Sequence, residues 1–155
     1  MTDLIARTVV PLPLGAVPAE KVVLSLDDRQ LRRRRIVTES GLDVLVDLPS
    51  AVTLLEGEAL QLTDGRLIAI VSAEEDLIEV RAAPGAPLHR LAWHIGNRHA
   101  PCQIEAGRLV IRRDRVLREM LQGLGADLRD IRAGFHPEGG AYGGHPTGNH
   151  GGHSH

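Results

Sequence analysis

The sequence contains few residues that form cross-links or stacking surfaces. Among its 155 residues there is one cysteine, Cys102, and there are three aromatic residues, Trp93, Phe135 and Tyr142. A single cysteine excludes an internal disulfide, a paired-cysteine redox motif and a cysteine-rich zinc module. The few aromatic rings and a formal net charge of -2 argue against nucleic-acid binding, which needs stacking surfaces and excess positive charge. The apolar runs are too short to span a bilayer and the first residues do not resemble a signal peptide, so we expect a cytoplasmic protein without nucleic-acid or membrane partners.

Residues 1–75 carry the patterns of an all-β domain. In Leu42–Leu48 apolar side chains alternate with aspartates, which is the period of a half-buried strand. Gln30–Val37 is a candidate partner strand, and Asp64-Gly65 lies between two apolar runs, which is typical of a β-hairpin. We therefore predict a β-rich domain, either a small sandwich or a barrel.

Residues 76–134 change to a mixed pattern. Apolar residues from Leu88 to Ile95 follow a helical spacing, and Gly96 is positioned to end that helix in the left-handed conformation. Asp114 is a candidate N-cap for a second helix. The predicted strands are Asp76–Ala82, Gln103–Ile104, Leu109–Ile111 and Leu128–Ala133. The order βαββαβ is ferredoxin-like, so the sequence predicts an α+β protein with an all-β first domain.

The last part of the sequence, residues 135–155, is rich in glycine and histidine. Such a composition cannot bury enough surface to offset its chain entropy, so we predict a disordered, flexible tail. Neutral imidazole is a good ligand for nickel, copper and zinc, and several histidines on one segment can surround an ion. The tail histidines predicted to bind metal are His136, His145, His150, His153 and His155.

Two further histidines flank the end of the predicted first helix of the second domain. His99 follows the helix on a loop, where its side chain can face a partner or an ion, and His94 lies off the apolar stripe, so we expect it to be exposed. Taken alone, a histidine after a helix is more often a surface residue than a ligand. His89 is interpreted as a solvated helix residue. For Cys102 a buried, unreactive thiol is favoured over a supplementary metal ligand.

Other charged residues do not indicate catalysis. Arg32–Arg35 is interpreted as a solvated strand, with docking of an acidic partner as the alternative. The sequence contains no phosphate-binding loop, dinucleotide fingerprint, zinc-protease motif or nucleophile elbow. A histidine-rich tail without such motifs favours a carrier over an enzyme.

Two segments carry a resemblance to a known family. Gly96-Asn97-Arg98-His99-Ala100-Pro101, preceded by His94, resembles the signature of the UreE-type urease accessory proteins. The segment Phe135–Tyr142 resembles the stretch that precedes the histidine-bearing tail of that family. The layout of a β domain, a ferredoxin-like domain and a histidine-rich end is similar over the whole sequence.

The resemblance implies a homodimeric nickel metallochaperone that delivers Ni²⁺ for assembly of the urease active site. It implies that His99 lies at the dimer interface, where two copies share one ion, and that tail histidines complete the coordination. Transfer would proceed through the accessory GTPase UreG at apo-urease, with the N-terminal domain as a candidate docking surface. Some members carry a second histidine pair where this sequence has Arg113 and Arg115, so that secondary site is expected to be missing.

Some alternatives remain open from the sequence. Copper and zinc are expected to compete with nickel, since imidazole ligands suit all three and copper stands highest in the Irving–Williams order. Binding is expected to fade below about pH 6.5, because protonated imidazole cannot bind a metal. A general nickel, copper or zinc buffer without a urease client would use the same ligands. A peptide-binding scaffold with an incidental tail is a third hypothesis.

Overall fold

The computed structural model describes residues 3–139. These residues form two compact units, one within Met1–Ala73 and the other comprising Glu74–Glu138. No helix in the described part of the chain has both the length and the apolar character needed to cross a membrane.

The first unit is a six-stranded mixed sheet with one short helix. Its elements are β1 (Leu4–Val10), β2 (Glu20–Leu24), α1 (Leu26–Arg29), β3 (Gln30–Val37), β4 (Asp43–Thr53), β5 (Ala59–Leu62) and β6 (Leu67–Ser72). The strand order is β2-β6-β5-β1-β4-β3, with β1–β4 and β2–β6 parallel and the other pairs antiparallel. The predicted β-rich first domain is confirmed, and the one-turn helix α1 was not predicted.

The first sheet curls around its own core. Val44, Val46 and Leu48 on β4 are at most 2% exposed, as the period-two alternation predicts. The outer strands β2 and β3 approach each other at one end, where the N–H of Glu39 donates to the carbonyl of Lys21 at 2.9 Å. One face of the sheet is therefore enclosed.

The arginine run of β3 lies among carboxylates. Three of its four side chains form surface ion pairs, namely Arg33–Asp47 at 3.7 Å, Arg34–Asp28 at 3.7 Å and Arg35–Asp43 at 3.3 Å. Exposed pairs of this kind contribute little to stability, but they do neutralise the local charge. This arrangement fits the interpretation of Arg32–Arg35 as a solvated strand.

The second unit has the βαββαβ order. Its elements are β7 (Glu75–Arg81), α2 (Leu88–Asn97), β8 (Gln103–Ile104), β9 (Leu109–Arg112), α3 (Arg115–Gly123) and β10 (Asp127–Ala133). The four strands form an antiparallel sheet in the order β10-β7-β9-β8. The ferredoxin-like arrangement is thus confirmed. As predicted, Asp114 caps α3, with its Oδ1 accepting from the N–H of Leu117 at 2.9 Å.

Both faces of the second sheet carry buried side chains. Ile78, Val80, Leu109 and Ile111 form a core with the helix residues Leu91, Ile95, Leu117 and Leu121. The alternation along β7 and β9 directs Leu77 and Val110 to the opposite face, yet both are at most 1% exposed. Phe135 is fully buried, and the guanidinium of Arg112 lies 5.7 Å from its ring centroid. The segment after β10 therefore covers the face that the helices leave open.

The second unit extends further along the chain than its predicted end at residue 134. It includes Phe135 to Glu138, although the tail was predicted to begin at residue 135. The difference follows from Phe135, since a large aromatic side chain gains about 2–3 kcal/mol from burial and can hold the short segment that follows it on the sheet.

Glu79 on β7 is a buried carboxylate held by two arginines. Its Oε1 accepts from Arg81 Nε and its Oε2 from Arg108 Nη1, both at 2.9 Å. Glu79 is 7% exposed. The hydrogen bond from Arg81, reinforced by Arg108, lowers the pKa of Glu79 below its ordinary value despite burial.

We predict that Glu79→Gln lowers the free energy of unfolding by about 1–2 kcal/mol at neutral pH. A carboxylate with a lowered pKa in the folded state stabilises that state above the unfolded pKa of about 4.3, and this stabilisation is lost as the pH falls through the folded value. Urea unfolding of both proteins from pH 7 down to pH 3 measures the difference. A deficit that stays constant over this range would contradict the assignment.

Candidate metal centre

His99 occupies a special backbone position at the end of α2. It is left-handed, with φ 58°, and no other non-glycine residue in the described range has a positive φ. Its N–H donates to the carbonyl of Gly96 at 2.9 Å, and the N–H of Ala100 donates to that of Ile95 at 3.5 Å. These two bonds form a Schellman motif, whose left-handed residue is usually glycine. A residue that carries a Cβ adopts this backbone conformation at a cost of about 1–2 kcal/mol, so His99 occupies a position where glycine would be less strained.

The prediction that Gly96 ends the helix was wrong. Gly96 is helical and α2 runs through Asn97, so the left-handed residue comes later, at His99. The reason lies in the core, where Ala100 packs against the cluster that contains Ile95. In a Schellman motif the residue that follows the left-handed residue contacts the residue four positions before the left-handed one. Only a left-handed residue at position 99 pairs Ala100 with Ile95 in this way.

The surroundings of His99 are open and contain several arginines. His99, Asn97 and Arg98 are exposed. A groove of about 420 Å³ adjoins this loop, with Arg98 and Ala100 in its lining together with Arg113. Arg113 donates from Nε to the carbonyl of Leu77 and from Nη2 to that of Ile131, both at 3.2 Å. Arg113 thus supports the backbone, and a guanidinium has no lone pair for a metal.

The other histidines of α2 differ in exposure. His94 is half-buried rather than exposed as expected, and its ring meets that of Trp93 edge-on, with centroids 5.0 Å apart. The indole of Trp93 is 63% exposed. His89 is exposed, which agrees with its interpretation as a solvated residue. Trp93 is the only tryptophan of the sequence, and its fluorescence can therefore report on this helix.

His136 and Cys102 lie at the β8 side of the second sheet. The backbone N–H of His136 donates to Gln103 Oε1 at 2.8 Å, and the N–H of Glu138 donates to the carbonyl of Cys102 at 2.8 Å. Burial, followed by the nearby charge of Glu138, raises the pKa of the Cys102 thiol to about 11. The thiol is therefore protonated at neutral pH, which supports its interpretation as unreactive. The sequence analysis did not identify Gln103 as a functional residue, because nothing in its spacing links it to His136.

The described residues of one chain do not form a complete metal site. Within residues 3–139 no three His, Cys, Asp or Glu side chains are grouped so that they could hold an ion. Four predicted ligands, His145, His150, His153 and His155, lie outside the described residues. A coordination sphere that includes His99 therefore needs donors from beyond the described part of a single chain.

The left-handed conformation makes a prediction about substitutions at His99. Asparagine tolerates this conformation and valine does not, so His99→Asn changes the free energy of unfolding by less than about 0.5 kcal/mol, and His99→Val lowers it by about 1–2 kcal/mol. Urea unfolding followed by Trp93 fluorescence measures both values. Equal stability of the two variants would show that the backbone at residue 99 is not strained.

Comparison with known proteins identifies the family of the chain. Residues 5–73 match the family model described as UreE urease accessory protein, N-terminal domain, and residues 75–155 match the corresponding C-terminal domain. The urease accessory protein UreE of Ruegeria pomeroyi is 55% identical over 124 residues, which is 80% of this chain and 81% of that protein.

Two further relatives are longer than this chain. The urease accessory protein UreE of Rhodopseudomonas palustris is 55% identical over 124 residues, which is 80% of this chain but 59% of the relative. That of Mesorhizobium japonicum is 51% identical over 133 residues, which is 84% of this chain and 68% of the relative. By its two domain matches and these identities, the chain belongs to the UreE family of urease accessory proteins.

Proposed function

We propose that this protein carries Ni²⁺ for the maturation of urease, with His99 as its central ligand. The observation that carries the proposal is the exposed imidazole of His99 on a left-handed residue where glycine is the usual choice. A strained backbone conformation costs free energy and persists only where the surrounding structure enforces it. Such conformations are concentrated at functional sites. Family membership among urease accessory proteins names the process that the ion would serve.

The proposed site is shared between two copies of the chain. Since the described residues of one copy provide no three-donor cluster, His99 needs its symmetry mate to build a site. In a twofold dimer the same surface of each copy meets itself, so one residue per chain supplies two ligands to one ion. Histidines after residue 139 would complete the sphere. A site with two fixed ligands and others on the tail can release its ion more readily than a closed four-ligand site.

The proposed donors are imidazoles, which bind nickel, copper and zinc. Copper and zinc are therefore expected to compete in vitro, and selectivity for nickel would come from supply and from partners. The proposed partners are the GTPase UreG and apo-urease in the cytoplasm. In this role the protein acts as a carrier and catalyses no reaction of its own.

The ligand role of His99 is testable with a matched control on α2, the helix that precedes His99. His99→Asn keeps the backbone conformation and removes the imidazole, and His89→Asn makes the same chemical change at an exposed position of α2. Nickel titration calorimetry on the dimer should show at least about a tenfold loss of affinity for the tightest event with His99→Asn. His89→Asn should stay within about twofold. Equal affinity of the wild type and His99→Asn would refute the proposed site.

Delivery is separated from buffering by a second measurement. Apo-urease is incubated with UreG, GTP and limiting nickel, which is supplied either free with a chelator or bound to this protein. A carrier raises the recovered urease activity and forms a nickel-dependent complex with UreG, and His99→Asn loses both effects. A buffer without a client would hold nickel but would neither form this complex nor raise the activity above the chelator control.

A further inference from the structure

We propose that the segment Gly134–Glu138, here called the strap, fixes the point from which the histidine-rich tail leaves the second unit. Gln103 and Phe135 are the positioning residues of this device. The inference rests on the proposed function, in which tail histidines join His99 at the metal. It assigns a role to contacts that lie outside the ligand set itself.

The strap connects opposite edges of the second sheet. It starts after β10, at one edge of the order β10-β7-β9-β8, and reaches β8 at the other edge. Crossing three inter-strand steps requires at least about 14 Å. Five residue steps from Ala133 to Glu138 span at most about 17 Å when extended. The strap is therefore nearly taut, and its far end has little freedom while both anchors hold.

The first anchor is the ring of Phe135. It is fully buried, and the guanidinium of Arg112 on β9 lies over it, 5.7 Å from its centroid. Because Arg112 alternates with the helix-facing Ile111, the ring lies on the face of the sheet opposite to the helices. Burial of an aromatic side chain and a cation–π contact thus hold the middle of the crossing.

The second anchor consists of two hydrogen bonds at β8. Gln103 Oε1 accepts from the N–H of His136, and the carbonyl of Cys102 accepts from the N–H of Glu138, both at 2.8 Å. The amide of Gln103 is itself oriented, since its Nε2 donates to Glu105 Oε2 at 2.6 Å. The side-chain oxygen Oε1 of Gln103 is therefore directed at the strap, because the bond to Glu105 prevents the amide group from rotating.

The anchors place the origin of the tail close to the candidate ligand. Cys102 follows His99 by three residues, which span at most about 11 Å. Cys102 and Glu138 are joined by a backbone hydrogen bond, and the Cα atoms of residues bonded in this way between neighbouring strands lie about 5 Å apart. Together these two spans place the Cα atom of Glu138 within roughly 16 Å of that of His99. Without the strap the tail would leave from Ala133, on the far edge of the sheet. An origin fixed within this distance raises the effective concentration of tail histidines at His99.

The test removes one anchor without disturbing the core. Gln103→Met keeps the size of the side chain and removes the acceptor for the His136 N–H, while Gln122→Met makes the same chemical change at an exposed position of α3. Each is made in the full chain and in a full-length variant with asparagine at all four tail positions, His145, His150, His153 and His155. Nickel affinity is measured by calorimetry, and hydrogen exchange at the His136 and Glu138 amides reports directly on release of the strap.

We expect Gln103→Met to accelerate exchange at both amides and to weaken nickel binding about threefold or more in the chain with tail histidines. The same substitution should change affinity by less than about twofold in the chain without them, and the control Gln122→Met should stay near the wild type. Phe135→Leu, which keeps an apolar anchor of smaller area, should weaken binding in the same tail-dependent way.

Each of the following results would overturn the inference. Wild-type affinity with a released strap would show that the origin of the tail does not matter. An equal loss with and without tail histidines would show a general structural effect of Gln103. If removing the tail histidines leaves nickel affinity unchanged, the tail part of the proposed function fails and the strap loses its role with it. If removing the tail histidines lowers nickel affinity but Gln103→Met has no effect in the chain that retains them, the strap alone is refuted.

Discussion

The closure of α2 at His99 is the constraint on which the proposed site depends. The Schellman bonds reverse the chain after Asn97 so that Ala100 returns to the core beside Ile95. This reversal leads the chain through Cys102 to the edge strand β8, which begins at Gln103, and leaves the side chain of His99 exposed to solvent. A glycine at this position would satisfy the backbone at lower cost. The proposed ligand role would account for a histidine at this strained position.

The second sheet links this turn to the tail. Its helix-facing side holds α2 in place through Leu91 and Ile95, and its other side holds the strap through Phe135. One four-stranded sheet thereby positions both the proposed ligand His99 and the strap from which the tail is proposed to continue. A rigid donor combined with donors on a tethered segment suits a protein that must bind an ion and later release it, since neither part alone makes a closed site.

The sequence predicted the parts of the fold that depend on local patterns. Alternation in β4 and the capping carboxylate of Asp114 are local signals; α3 begins after Asp114 as expected, and β4 forms at the predicted alternation but continues to Thr53. The turn at His99 was misplaced because glycine preference favours Gly96, while the actual position is set by the contact of Ala100 with the core. The strap was missed because a single buried aromatic residue, Phe135, decides its path. The hydrogen bond from the backbone N–H of His136 to Gln103 joins residues 33 positions apart. No local sequence pattern reveals a contact of this kind.

The most direct test of a shared site uses mixed dimers of wild type and His99→Asn, produced by co-expression with two different tags and examined with nickel by native mass spectrometry. Each mixed dimer contains one His99. If two copies of His99 hold one ion, nickel is retained by wild-type dimers and lost from mixed dimers as completely as from double-variant dimers. Mixed dimers that keep nickel as wild-type dimers do would contradict the shared site and place the metal on ligands within a single chain.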